Sequence, residues 1–123
     1  IIMSDIFDSR DLLDELKTLK KEKELNKKLN IDVMDYEEER IQQINDLIEE
    51  VGEDNFDMGV TFIRENYWEE YCEDTAYEFG YLDGSPSSYN PLSHHIDWQG
   101  WADAVAMDYS QIDFDGDTYY WRA

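Results

Sequence analysis

Apolar residues recur along this chain at helical spacing through most of its length and at strand spacing only near its end. In residues 9–29, Leu12, Leu16 and Leu19 fall at i, i+4 and i+7, which predicts an amphipathic helix capped by Asp8 or Ser9. That stripe fades after Leu19, where Lys23 and Asn26 take its next positions, so the distal part is expected to pack loosely or to need a partner. Residues 35–51 predict a second helix: Asp35 and Glu38 make a capping-box-like start, Ile41, Ile44, Ile48 and Val51 form the stripe, and Gly52 ends it. The short link between the two favours an antiparallel helical hairpin, with Leu16 facing Ile48 and with Lys27 and Lys28 facing Glu37, Glu38 and Glu39.

Residues 53–60 read as a loop. A third helix is expected over 62–79, with an inner stripe of Trp68, Tyr71, Cys72, Thr75 and Phe79, followed by a long loop at 81–95. Asp97 then reads as the N-cap of a fourth helix lined by Trp98, Trp101, Ala102 and Val105 and ending near Asp108. The last segment, Ile112-Asp113-Phe114, Asp115-Gly116, Asp117-Thr118-Tyr119-Tyr120-Trp121, predicts a β-hairpin with a two-residue turn, pairing Phe114 with Asp117 and Ile112 with Tyr119. A lone hairpin is marginal in water, so a third strand is expected, and residues 56–63 are its best donor. The expected fold is α+β: a helical hairpin arm at 1–52, then a small acidic domain at 53–123 with two helices packed on an antiparallel sheet that ends in the β-hairpin.

Charge changes this picture. The chain carries 31 acids against 10 bases, a net −21 in 123 residues. The first 30 residues hold seven of each and cancel, so the net charge lies wholly in the last 93, where Arg40, Arg64 and Arg122 are the only bases. Acidity on this scale can mean disorder, but 16 of the 18 aromatic residues lie from Phe56 onward, enough to build a core. The field of such a domain repels nucleic acid and anionic membrane and attracts proteins with basic surfaces. Lone Cys72 excludes an intrachain disulfide and points to a reducing compartment. No run of 18 apolar residues is present, and Ile1-Ile2-Met3 lacks the pattern of a signal peptide, so a cytoplasmic protein is expected.

The candidate chemistry is anionic recognition. Glu69, Glu70, Glu73, Asp74 and Glu78 fan over the outer face of the third helix, with Glu65 at its edge and Tyr67 and Tyr77 among them. Six carboxylates over roughly 20 Å of helix is about one per 3–4 Å, near the roughly 3.4 Å per phosphate of one DNA strand. Asp83, Asp103, Asp108, Asp113, Asp115 and Asp117 extend the same sign over the rest of the domain. A calcium reading of Asp113, Asp115 and Asp117 fails, because Gly116 is out of position for an EF-hand loop and the twelfth-position Glu is absent. His94-His95 has no partner ligands at metal spacing. No phosphate loop, HExxH or CxxC occurs, and Cys72 sits on an expected core stripe. Neither an enzyme nor a cofactor or metal is expected.

Phe62-Ile63-Arg64-Glu65-Asn66-Tyr67-Trp68-Glu69-Glu70-Tyr71, His95-Ile96-Asp97-Trp98, Met107-Asp108-Tyr109-Ser110 and Asp113-Phe114-Asp115-Gly116-Asp117-Thr118-Tyr119-Tyr120 together resemble the C-terminal part of ArdA-type antirestriction proteins. The short phage and plasmid members are still more similar, with an opening like Asp5-Ile6-Phe7-Asp8-Ser9-Arg10-Asp11-Leu12 and a charged helical arm. The resemblance covers about residues 60–122. It implies a dimeric DNA mimic built from small acidic α+β modules that occupies the DNA groove of a type I restriction-modification enzyme. The twelve carboxylates named above would then stand in for phosphates against the basic groove of a host defence protein, and a homodimer becomes an expectation. Two other readings stay open: a mimic aimed at a CRISPR effector or a uracil-DNA glycosylase, and an acidic adaptor that docks through its helical hairpin.

Overall fold

A computed structural model describes residues 4–31, 35–82, 84 and 91–123. The chain runs β1 (Ile6–Asp8), α1 (Ser9–Lys28), α2 (Asp35–Val51), α3 (Glu53–Met58), β2 (Thr61–Arg64), a 3₁₀ turn (Glu65–Tyr67), α4 (Trp68–Glu78), a second 3₁₀ turn (Pro91–His95), α5 (Trp98–Ala106), β3 (Ser110–Phe114) and β4 (Asp117–Trp121). The four strands form one antiparallel sheet in the order β1-β2-β4-β3.

The sheet is covered on both faces, and the alternation of its side chains assigns each to a layer. Phe7, Phe62, Ile112, Phe114 and Tyr119 point to one side, where they join Leu12, Leu16, Ile44, Leu47, Val51 and Phe56 of α1, α2 and α3 in a single core. Ile63 and Tyr120 point to the other, against Trp68, Cys72 and Ala102 of α4 and α5. The hairpin face of Ile112, Phe114 and Tyr119 therefore meets the helical hairpin, not α4 and α5.

This layer joins residues on both sides of position 52. Strand β1 pairs with β2 along Ile6–Ile63, Phe7–Phe62 and Asp8–Thr61, and Phe7 stacks on Phe62 at 5.0 Å and meets Tyr119 edge-on at 5.1 Å. Residues from both sides of position 52 complete one core. The junction is fastened at Ser9, fully buried, whose hydroxyl donates to the Phe56 carbonyl and accepts from the Val60 amide, both at 2.8 Å, while its own amide donates to the Val60 carbonyl.

Local signals account for most of the ends. The Asp8 carboxylate caps α1 by accepting from the Arg10 amide at 2.8 Å, and Asp97 caps α5 by accepting from the Gly100 amide at 3.0 Å. Asp115 and Gly116 both take positive φ, 51° and 82°, as a two-residue hairpin turn requires, and β3 and β4 pair in the expected register. Three expectations change. Residues 53–58 form α3, with Phe56 driven into the core. The helix expected from 62 begins at Trp68, because Phe62 and Ile63 are buried on opposite faces of a central strand. In the hairpin, Lys23 rather than Lys27 or Lys28 pairs with Glu38, at 3.8 Å. The Asp35 side chain and Ile1-Ile2-Met3 lie outside the described residues.

Candidate functional site

Helix α4 buries Trp68, Cys72 and Ala76, a stripe spaced by four residues, and packs Trp68 and Cys72 with Ile63 of the sheet. That spacing turns Glu69, Glu70, Glu73, Asp74 and Glu78 outward over the opposite half of the helix. They form two rows, Glu69–Glu73 and Glu70–Asp74–Glu78, with members of a row about 6 Å apart along the axis. The five acids occupy an eleven-residue helix of roughly 16 Å, about one charge per 3 Å. Glu65 is exposed in the 3₁₀ turn just before the helix, not on the helix itself.

Among the described residues none of these six carboxylates forms an ion pair. Their own neighbours repel them. Partial burial, and then the negative charges of Asp74, Glu69 and Glu70, raise the pKa of Glu73 above its ordinary range. Tyr67 stands at the head of the rows, its hydroxyl 3.5 Å from Asp74, and burial followed by the charges of Asp74 and Glu70 holds its proton on.

The cations that would neutralise this face are held elsewhere. Arg40 pairs with Glu15 at 2.7 Å and lies over the Phe114 ring; Arg64 contacts Asp5 at 3.1 Å and lies over Tyr119; Arg122 lies over Tyr109. All three arginines of the acidic segment thus sit on aromatic rings, and two of them lie on the α1–α2 side of the sheet, away from α4.

That arrangement sets two of the expected residues apart from α4. Asp115 pairs with Arg40 at 3.5 Å and Asp117 with Arg64 at 3.6 Å, both on the sheet face opposite α4. Strand alternation puts them there, because Asp117 shares the face of Phe114 and Tyr119. Asp113 is exposed and accepts a hydrogen bond from the Thr118 hydroxyl at 2.7 Å. Asp103 and Asp108 are exposed on and just after α5. Asp83 lies outside the described residues.

Two aromatic positions depart from expectation in opposite ways. Tyr77, expected among the acids as a contact residue, is 8% exposed and stacks on Trp98 at 6.3 Å, because the start of α5 folds over it. Phe79, expected in the core, is 67% exposed, just past the end of α4 at Glu78. The outward turn of Phe79 leaves a groove between α4 and α5, a feature that sequence spacing did not separate from core packing.

Cys72 is not a ready nucleophile. It is fully buried, and burial pushes its thiol up to about 11, so it is protonated at neutral pH. Among the described residues no three His, Cys, Asp or Glu side chains gather as metal ligands, and no helix is long and apolar enough to cross a membrane. Comparison of the chain with protein-family models, with curated proteins and with solved structures finds no match.

Proposed function

We propose that this chain is an anti-defence protein that acts as a DNA mimic, occupying the basic DNA-binding groove of a host defence enzyme such as a type I restriction-modification complex. The observation that carries the reading is the double row of carboxylates on α4 without ion pairs among the described residues, with Arg40 and Arg64 on the opposite face of the sheet and Arg122 over the Tyr109 ring. A solvated helix face normally mixes both signs. Here the fold tolerates like charges at i, i+4 spacing, each pair costing about 0.2–0.5 kcal/mol, and keeps its arginines for aromatic rings instead. Such a face stabilises a complex only when another molecule brings lysines and arginines in the pattern that binds phosphates. The resemblance to ArdA-type proteins points to the same partner, and the reading needs no chemistry from the chain itself.

Reversing charge at Glu69, Glu70, Glu73 and Asp74 tests it. The quadruple lysine variant should fold and lose inhibition of the enzyme, whereas retained inhibition would exclude α4 as the phosphate-like face.

A second reading has its own observation. The tip of the helical hairpin exposes Leu25, Leu29, Ile31 and Tyr36, the surface an adaptor would use to dock a partner. Substituting Leu25 and Leu29 with Ser separates the two. The mimic keeps its target and the adaptor loses it. Ile44, fully buried in the main core, is unsuited to this test because its loss would unfold the protein.

A further inference from the structure

We infer that the groove between α4 and α5 is a receptor for an arginine side chain, presented by the same basic partner protein; the identity of that partner rests on the reading above. The groove encloses about 370 Å³ and is lined chiefly by Tyr71, Phe79, Tyr81, Trp101 and Tyr109, with Asp108 at its edge. That volume is in the range of small-ligand sites. Phe79 and Tyr81 are 67% and 68% exposed, although the fold buries most of its large apolar side chains. They are nevertheless ordered against one another: Phe79 meets Tyr81 edge-on at 6.3 Å, and Tyr81 meets Trp101 edge-on at 5.8 Å. Edge-on packing sets one ring's edge against its neighbour's face, and aromatic faces carry negative potential. Asp108 adds a full negative charge, and Glu78 lies near enough to act on the Tyr71 phenol.

Ring faces with flanking carboxylates select a cation, and the chain itself shows which kind. The Arg122 guanidinium sits at the groove, 4.9 Å from the centre of the Tyr109 ring. A planar, weakly hydrated guanidinium stacks on aromatic faces and can meet a carboxylate at the same time, whereas an ammonium is compact and holds its water. Arg122 therefore occupies part of a site that an incoming arginine would share or take over. The site gives the partner a contact that the α4 carboxylates cannot, one based on ring faces and less weakened by salt than the acidic rows.

The test is a titration of the isotope-labelled full chain by heteronuclear NMR at physiological ionic strength. The probes are N-acetyl-arginine methylamide, its lysine counterpart and its uncharged citrulline counterpart. The Trp101 indole N–H, which donates to the Cys72 carbonyl at 3.3 Å, reports from inside the groove. Saturable shifts of that signal and of the Tyr81 and Tyr109 amides are expected with arginine, weaker with lysine and absent with citrulline. Tyr81→Ala should weaken arginine binding roughly tenfold, and Arg122→Ala should strengthen it. Both residues are exposed, so both variants should keep the fold. Equal shifts with citrulline, or no saturation with arginine, would overturn the inference. The quadruple reversal on α4 should abolish enzyme inhibition yet leave groove binding in place, so failure of the groove and failure of the mimic reading give different results.

Discussion

At Ser9 one hydroxyl serves two backbone groups that would otherwise be buried without partners, the Phe56 carbonyl and the Val60 amide. Ser9→Ala should therefore cost about 1–3 kcal/mol, read from the denaturant midpoint at unchanged slope. Its neighbour Asp8 acts through charge. Hydrogen bonds from the Arg10 side chain and amide hold the Asp8 pKa below its ordinary 3.8. A lowered folded pKa means stability that is present above the unfolded value and lost as pH falls through the folded one. Asp8→Asn should thus reduce stability at neutral pH and leave it unchanged at strongly acid pH. Glu73 has the opposite sign. Its raised pKa means that its contribution is most favourable below the ordinary 4.5 and is lost as pH rises through the folded value. Glu73→Gln should raise the melting temperature at neutral pH while weakening the target complex. A cationic partner would pull the Glu73 proton off, so affinity should also fall as pH drops through the Glu73 titration. A variant that gained stability and kept full affinity would show that Glu73 is outside the interface.

The elements differ in how plainly the sequence announces them. Helices α1 and α2 and the β3–β4 hairpin are legible because each repeats a long stripe or carries an Asp-Gly turn. Strand β1 is three residues long and has no period to read. Helix α3 offers one buried side chain, Phe56. Strand β2 is buried on both faces, so its apolar pair Phe62-Ile63 merges with the helical pattern that follows. Within the site, the acids of α4 are legible as a face, because any residues opposite Trp68 and Cys72 must point outward. The pairing of Asp115 and Asp117 with Arg40 and Arg64 is not legible, because it depends on which layer covers each face of the sheet. The structural weight of β1 gives its own test. Phe7→Ala should cost about 3–5 kcal/mol, since Phe7 contacts both Phe62 and Tyr119. A fragment of residues 53–123 should give the NMR dispersion of an unfolded chain; a folded fragment would mean that the first layer is dispensable.

On the scale of the whole molecule, the two layers differ in where the arginines of the acidic segment are used. One layer joins the helical hairpin to the sheet and uses Arg40 and Arg64 internally. The other carries α4 and α5, with unpaired carboxylates on one helix and an aromatic groove beside them. Within the net −21, the α4 rows are a run of carboxylates set on the sheet face opposite Arg40 and Arg64.

The central claim is that this face binds where phosphates bind. The most direct measurement is the affinity of the protein for a purified type I restriction-modification complex across a salt series, with duplex DNA as competitor. Affinity should fall by about tenfold or more between low and physiological salt, and DNA should compete. An affinity unchanged by salt, or a complex that binds the protein and DNA at the same time, would contradict the account.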